Sequence, residues 1–149
     1  MQLLSKRGFF LYRKAIIPPK TYRLFQISPS KMVKSEQDVI DDFNNTVNMT
    51  ADELEEWLRG DESQKSGWSK NDGSGESIGH ESGRKIVEIL RKNPDKDPSK
   101  YDDDDLAHMR KVAAYNKRHL AQEEKAKQDT NSNSYRSLKN WGHDAQKEA

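Results

Sequence analysis

After Met32 the apolar residues of this chain fall three and four positions apart and nowhere alternate, so helices are the regular structure able to bury them. Val39, Ile40, Phe43 and Val47 predict a first helix over about Ser35 to Val47. Thr50-Ala51-Asp52-Glu53 is a capping-box sequence, in which Thr50 can accept a free backbone N–H and Glu53 can reach back. It opens a short helix carrying Leu54, Trp57 and Leu58 and ending at Gly60. A Ser- and Gly-rich loop is expected from Asp61 to about Ile78. A third helix follows over about Ser82 to Lys92, with Ile86, Ile89 and Leu90 inward and Asn93-Pro94 closing it. The fourth and longest starts with Asp102 to Asp105 beside its positive end and shows a stripe of Leu106, Met109, Ala113 and Leu120, widened by Val112. Polar residues 123–133 read as a linker. A last helix, about Ser134 to Asn140, presents Tyr135, Leu138 and Trp141, with Gly142 as its stop. The fold class expected is all-α: a small bundle of four to five helices with a Gly/Ser-rich loop and flexible tails. The helical domain occupies residues 33–122, and residues 134–149 pack back on it.

Charged residues make up 34% of the 149-residue chain and aliphatic plus aromatic residues only 32%, so the core must be small. A partner or a second copy would complete it, and the sequence leaves the oligomeric state open. Cysteine is absent, which excludes disulfides and thiolate chemistry. No apolar run is long enough to cross a membrane.

The net charge of +1 conceals two unlike parts. Lys6, Arg7, Arg13, Lys14, Lys20, Arg23 and Lys31 give the segment before Met32 a charge of +7 with no acid. The other 19 basic and 25 acidic residues leave −6 for the rest. Leu3, Phe10 and Ile17, and Leu4 and Leu11, recur every seven residues among the basic ones, and Pro18-Pro19 would end a helix there. A positive, acid-free, amphipathic leader is what membrane-potential-driven import into the mitochondrial matrix requires, so residues 1–32 read as a presequence. Arg23-Leu24-Phe25-Gln26-Ile27-Ser28 resembles a presequence processing site, placing the mature start near Phe25 or Val33. Initiation at Met32 would instead leave a cytosolic or nuclear protein.

Three sets of residues offer chemistry. His80 with Glu81, and His143, are the candidate metal ligands or bases, although no close ligand pair of the HExxH kind exists. His108 and His119 stand eleven residues apart, about three turns, so they share a face on which Val112 and Tyr115 lie between them. Arg84, Lys85, Arg91, Lys92, Arg110, Lys111, Lys117 and Arg118 would form a nucleic-acid-binding patch if their two helices lay side by side. Gly73, Gly75, Gly79 and Gly83 precede a helix but match neither the phosphate loop nor the dinucleotide fingerprint, so no cofactor is expected. Asp102 to Asp105 lack calcium-loop spacing. Trp57, Trp68 and Trp141 are expected to anchor the core.

Several blocks carry a resemblance: Val47 to Thr50 with Glu53 to Leu58, Ser77 to Leu90, His108 to Val112, Arg118 to Ala121, and Asn140-Trp141-Gly142-His143-Asp144. Over about Phe43 to Asp144 the chain resembles a small family of bacterial and fungal proteins catalogued as a domain of unknown function. Bacterial relatives are often labelled DNA-binding proteins, so the resemblance implies a nucleic-acid role. It assigns no catalytic residue and does not include the basic leader.

The expectation is therefore a non-enzymatic helical protein of the mitochondrial matrix that binds nucleic acid or a protein partner. A metal-binding protein or metal-dependent enzyme using His80 and His143, and a structural subunit of a larger assembly, are the alternatives.

Overall fold

Ser35, Thr50, Ser77 and Ser132 each stand one residue ahead of a helix, and each side-chain hydroxyl oxygen accepts a backbone N–H from the first turn. Four helix starts are thus set by local chemistry. The computed structural model describes residues 33–69, 71–122 and 125–147, and the expected leader, residues 1–32, lies outside them. The elements are α1 (Glu36–Thr46), α2 (Ala51–Arg59), α3 (Asp61–Lys65), α4 (Ile78–Lys92), a 3-10 turn (Pro98–Lys100), α5 (Asp103–Gln122), α6 (Lys125–Gln128) and α7 (Asn133–Asn140). Among the described residues there is no strand beyond an isolated antiparallel bridge between Ser69 and Ser77. The all-α reading is correct. Of the described helices, α1, α2, α4, α5 and α7 have eight or more residues, and α3 and α6 add single turns. No helix among the described residues is long and apolar enough to cross a membrane.

Helix α1 lies along α5, α2 lies along α4, and α7 touches α2, α3, α4 and α5. Val39, Ile40, Phe43, Leu54, Leu58, Ile86, Ile89, Met109 and Val112 form the main core. Tyr135, Leu138 and Ala145 form a second cluster, against which Leu120 packs.

Three stretches depart from the sequence reading, and one is α6, a helical turn inside the residues read as linker. Helix α4 begins at Ile78, four residues before the expected Ser82, because Ser77 caps it. Gly79 and Gly83 lie inside the helix, where their missing side chains admit neighbours. A Cβ on Gly83 would sit 2.6 Å from Leu58 Cδ2 and 2.8 Å from the Asn140 carbonyl oxygen. The segment Asp61–Lys65, expected as loop, is helical, and its Ser63 is fully buried against Asn140. At the start of α5 the Asp102 and Asp105 carboxylates each accept the other's backbone N–H, which accounts for acids there without a cation.

The C-terminal turn is locked twice. Helix α7 ends in a Schellman motif: the His143 N–H donates to the Leu138 carbonyl and the Gly142 N–H to that of Lys139, with Gly142 at φ +79°. Residues beyond it then clasp the corner between α1 and α2. Asn48 Nδ2 donates to the Asp144 carbonyl (3.0 Å) while the Asp144 N–H donates to Asn48 Oδ1 (2.8 Å). The Gly142 carbonyl accepts from the N–H groups of Asn48 and Met49.

Candidate functional site

The histidines put forward as ligands are committed to the fold. His80 Nδ1 lies 2.6 Å from Glu76 Oε1, and Nε2 lies 3.0 Å from the Leu58 carbonyl oxygen at the end of α2. Both ring nitrogens therefore face oxygen acceptors, leaving neither for a metal. The Arg84 guanidinium, which grips Glu76 through two bonds of 2.8 and 2.9 Å, holds that carboxyl down at about 2, with His80 contributing. Glu81 turns instead to Lys85 at 3.3 Å. His143 is 1% exposed, and its Nδ1 lies 2.6 Å from the Thr46 carbonyl oxygen. Its Nε2 is buried without a partner. Among the described residues no three His, Asp or Glu side chains are grouped to hold a metal ion. His80, Glu81 and His143 thus occupy separate structural posts rather than one site.

The eight basic residues are likewise dispersed. Arg91 meets acids of α2, on which α4 lies, and Lys117 an acid of α1, on which α5 lies. Arg91 bonds Glu55 and Asp52, Lys92 bonds Asp102 and Asp105, and Lys117 bonds Asp42 at 2.5 Å. Arg110 donates to the Lys34 carbonyl. Lys111 and Arg118 remain exposed with no ion pair among the described residues, and Lys85 has only Glu81. The continuous eight-residue patch does not form.

A groove of about 610 Å³ opens instead where α5, α7 and the two ends of the 66–78 loop meet. Tyr115 and His119, one turn apart on α5, and Trp141, just after α7, form a row of rings. Tyr115 stacks on each of the others at 4.1 Å between centroids. The hydroxyls of Tyr115 and Ser137 lie 2.5 Å apart, tying α5 to α7, and Asn116 Nδ2 donates to the Trp141 carbonyl. The indole N–H of Trp141 points toward Gly79 and has no partner among the described residues. Trp68 and Ile78 line the opposite wall, with Lys65 at the end of α3. Trp68 was expected in the core, yet it is 85% exposed. It is held in place through its backbone: its carbonyl accepts the Ile78 N–H at 3.0 Å at the neck of the loop. Trp57 and Trp141 do pack against the core.

Above α5, His108 Nε2 lies 3.1 Å from Ser82 Oγ, joining α4 to α5. Burial holds this imidazole below its ordinary range, and the charges of Lys85 and Lys111 add to the shift.

The family model described as a protein of unknown function (DUF3140) matches residues 42–139. The chain belongs to the DUF3140 family. The matched span covers α1 from Asp42 to α7 at Lys139, and so takes in every wall of the groove except Trp141. No curated protein and no solved structure matches the chain. Membership of DUF3140 carries no ligand or reaction with it.

Sequence reasoning did not single out Asn140. This side chain is 1% exposed, its Oδ1 accepts from Trp57 Nε1 and Ser63 Oγ, and its Nδ2 donates to the Ser63 carbonyl. An asparagine at the end of an apolar helix face was the available signal. Its partners, 83 and 77 residues away, were not.

Proposed function

We propose that this DUF3140 protein is a non-enzymatic binding domain that acts in the mitochondrial matrix and receives its ligand in the groove between α5, α7 and the Trp68 neck. Trp68 carries the reading. With Ile78 it puts exposed apolar surface side by side on one wall of the groove. It faces an unpartnered indole N–H and a stacked ring row across a concavity of ligand-binding size. His80, His108 and His143 support a non-enzymatic role, since each is engaged by fold-holding groups. The matrix location rests on the acid-free +7 leader. N-terminal sequencing of protein from isolated mitochondria should give a start near Phe25 or Val33, and an intact Met1 would remove it.

The groove is testable through its tryptophans. In a proton–nitrogen spectrum of the full chain the three indole N–H signals are separate reporters. Titration with mononucleotides, short oligonucleotides and amphipathic peptides should move the Trp68 and Trp141 signals. Trp57 should stay still, because its N–H is tied to Asn140 at 2.9 Å. A panel that leaves both groove signals unmoved would overturn the proposal.

A further inference from the structure

Resting on that reading of the groove, we infer that its ligand is single-stranded nucleic acid, with a base on the exposed Trp68 indole and phosphates on the cationic rim. Most cations of the described fold are neutralised: Arg84, Arg91, Lys92 and Lys117 each touch carboxylates. Of those without an ion pair among the described residues, Lys96 and Arg110 do not line the groove, but three others lie on it or beside it. Lys65 lines it. Lys111 and Arg118 lie four and three residues from Tyr115 on α5, so both flank that ring on the helix surface. Glu81, in the first turn of α4, is paired with Lys85. The acidic helical part thus presents three uncommitted positive charges near aromatic rings.

Rings beside unpaired cations suit a polymer that alternates flat bases with phosphates. Stacking is indifferent to base identity, and the phosphates supply the salt-dependent attraction. A duplex hides its base faces and offers nothing for Trp68 to stack on. A helical peptide would want a row of apolar sockets, whereas the floor here is a stacked ring row beside Ser134, Ser137 and Asn133. The partnerless Trp141 N–H adds a donor that a base carbonyl can satisfy.

The test uses the full chain, Trp68→Ala, and the pair Lys111→Glu with Arg118→Glu, against oligothymidylate and oligouridylate of about eight nucleotides and a duplex of the same length. The basic leader is common to all three proteins, so differences between them report the groove. Both single strands should bind at low salt and move the Trp68 and Trp141 indole signals. Trp68→Ala should weaken single-strand binding about ten-fold, in line with loss of one stacked base, and leave duplex binding unchanged. The double charge reversal should flatten the dependence of log K on log salt by about 1.4, two phosphate contacts at about 0.7 each. Unchanged single-strand binding by Trp68→Ala would overturn the inference. If oligonucleotides leave the indole signals still while a peptide moves them, the ligand class is wrong and the groove reading stands; if nothing moves them, both fall.

Discussion

Gly83→Ala should cost the domain about 2 kcal/mol or more, although alanine is the better helix former by about 1 kcal/mol. The added methyl would lie 2.6 Å from Leu58 Cδ2, 3.0 Å from Leu58 Cδ1 and 2.8 Å from the Asn140 carbonyl oxygen. Leu58 is buried and packed in the core, so it has little room to turn aside. The Asn140 oxygen is backbone, so relieving it means moving the end of α7 and with it the buried Asn140 side chain. Gly79→Ala in the same helix is the control. Its methyl would meet Asn140 side-chain atoms at 3.2 Å and Trp141 Nε1 at 3.4 Å, which a few tenths of an ångström relieve. Denaturant unfolding of both variants should rank Gly83→Ala well below Gly79→Ala in stability. Equal stabilities would mean that α4 does not approach α2 and α7 as closely as described.

Asn140→Ala should be the more damaging change, costing about 3–5 kcal/mol. It removes the acceptor of Trp57 Nε1 (2.9 Å) and of Ser63 Oγ (2.6 Å), and the donor to the Ser63 carbonyl (3.0 Å). Ser63 is 0% exposed, so its stranded groups cannot turn to water, and each buried group left unpaired costs about 1–3 kcal/mol. The small helix α3 should loosen first, because Ser63 is its buried residue. A double-mutant cycle separates the Trp57 share: with Trp57→Phe in place, Asn140→Ala should cost about 1 kcal/mol less than alone. Strict additivity of the two changes would show that Asn140 acts through space-filling rather than through the indole bond.

Much of the helical layout was legible from local signals. Ser35 and the Thr50–Glu53 box place their helix starts, the Asp102–Asp105 run places that of α5, and Gly142 places the end of α7. The start of α4 was misplaced because Gly79 and Gly83 lower helix propensity, and the packing that compensates comes from Leu58 and Asn140, remote in sequence. Helix α3 was missed because Asp61 to Lys65 has no apolar residue; its anchor is a serine hydroxyl on a distant asparagine. The site was less legible still. The basic residues were countable, but their neutralisation depends on pairs such as Arg91 with Glu55 and Lys117 with Asp42, which are 36 and 75 positions apart. The ring row has the same origin, since Tyr115 and His119 are one turn apart by sequence whereas Trp141 joins them only through α7. Trp68 looked like a core residue because its side chain is apolar; that its backbone holds it outward becomes visible only with the loop neck formed.

The clasp between Asn48 and Asp144 gives the domain a direction in time. Its partners are 96 residues apart, and the bond from His143 to Thr46 spans 97. The corner after the first helix is therefore completed by residues made almost a hundred positions later. Contacts of that separation form late, because the intervening chain must first be brought together. A chain appearing from its N-terminus can form turns of α1 and α2 early, but it has no means of closing them together until the Asn140–Asp144 turn is free to dock. Until residues 140–144 have emerged, the corner between α1 and α2 thus stays open, and that turn acts as its latch.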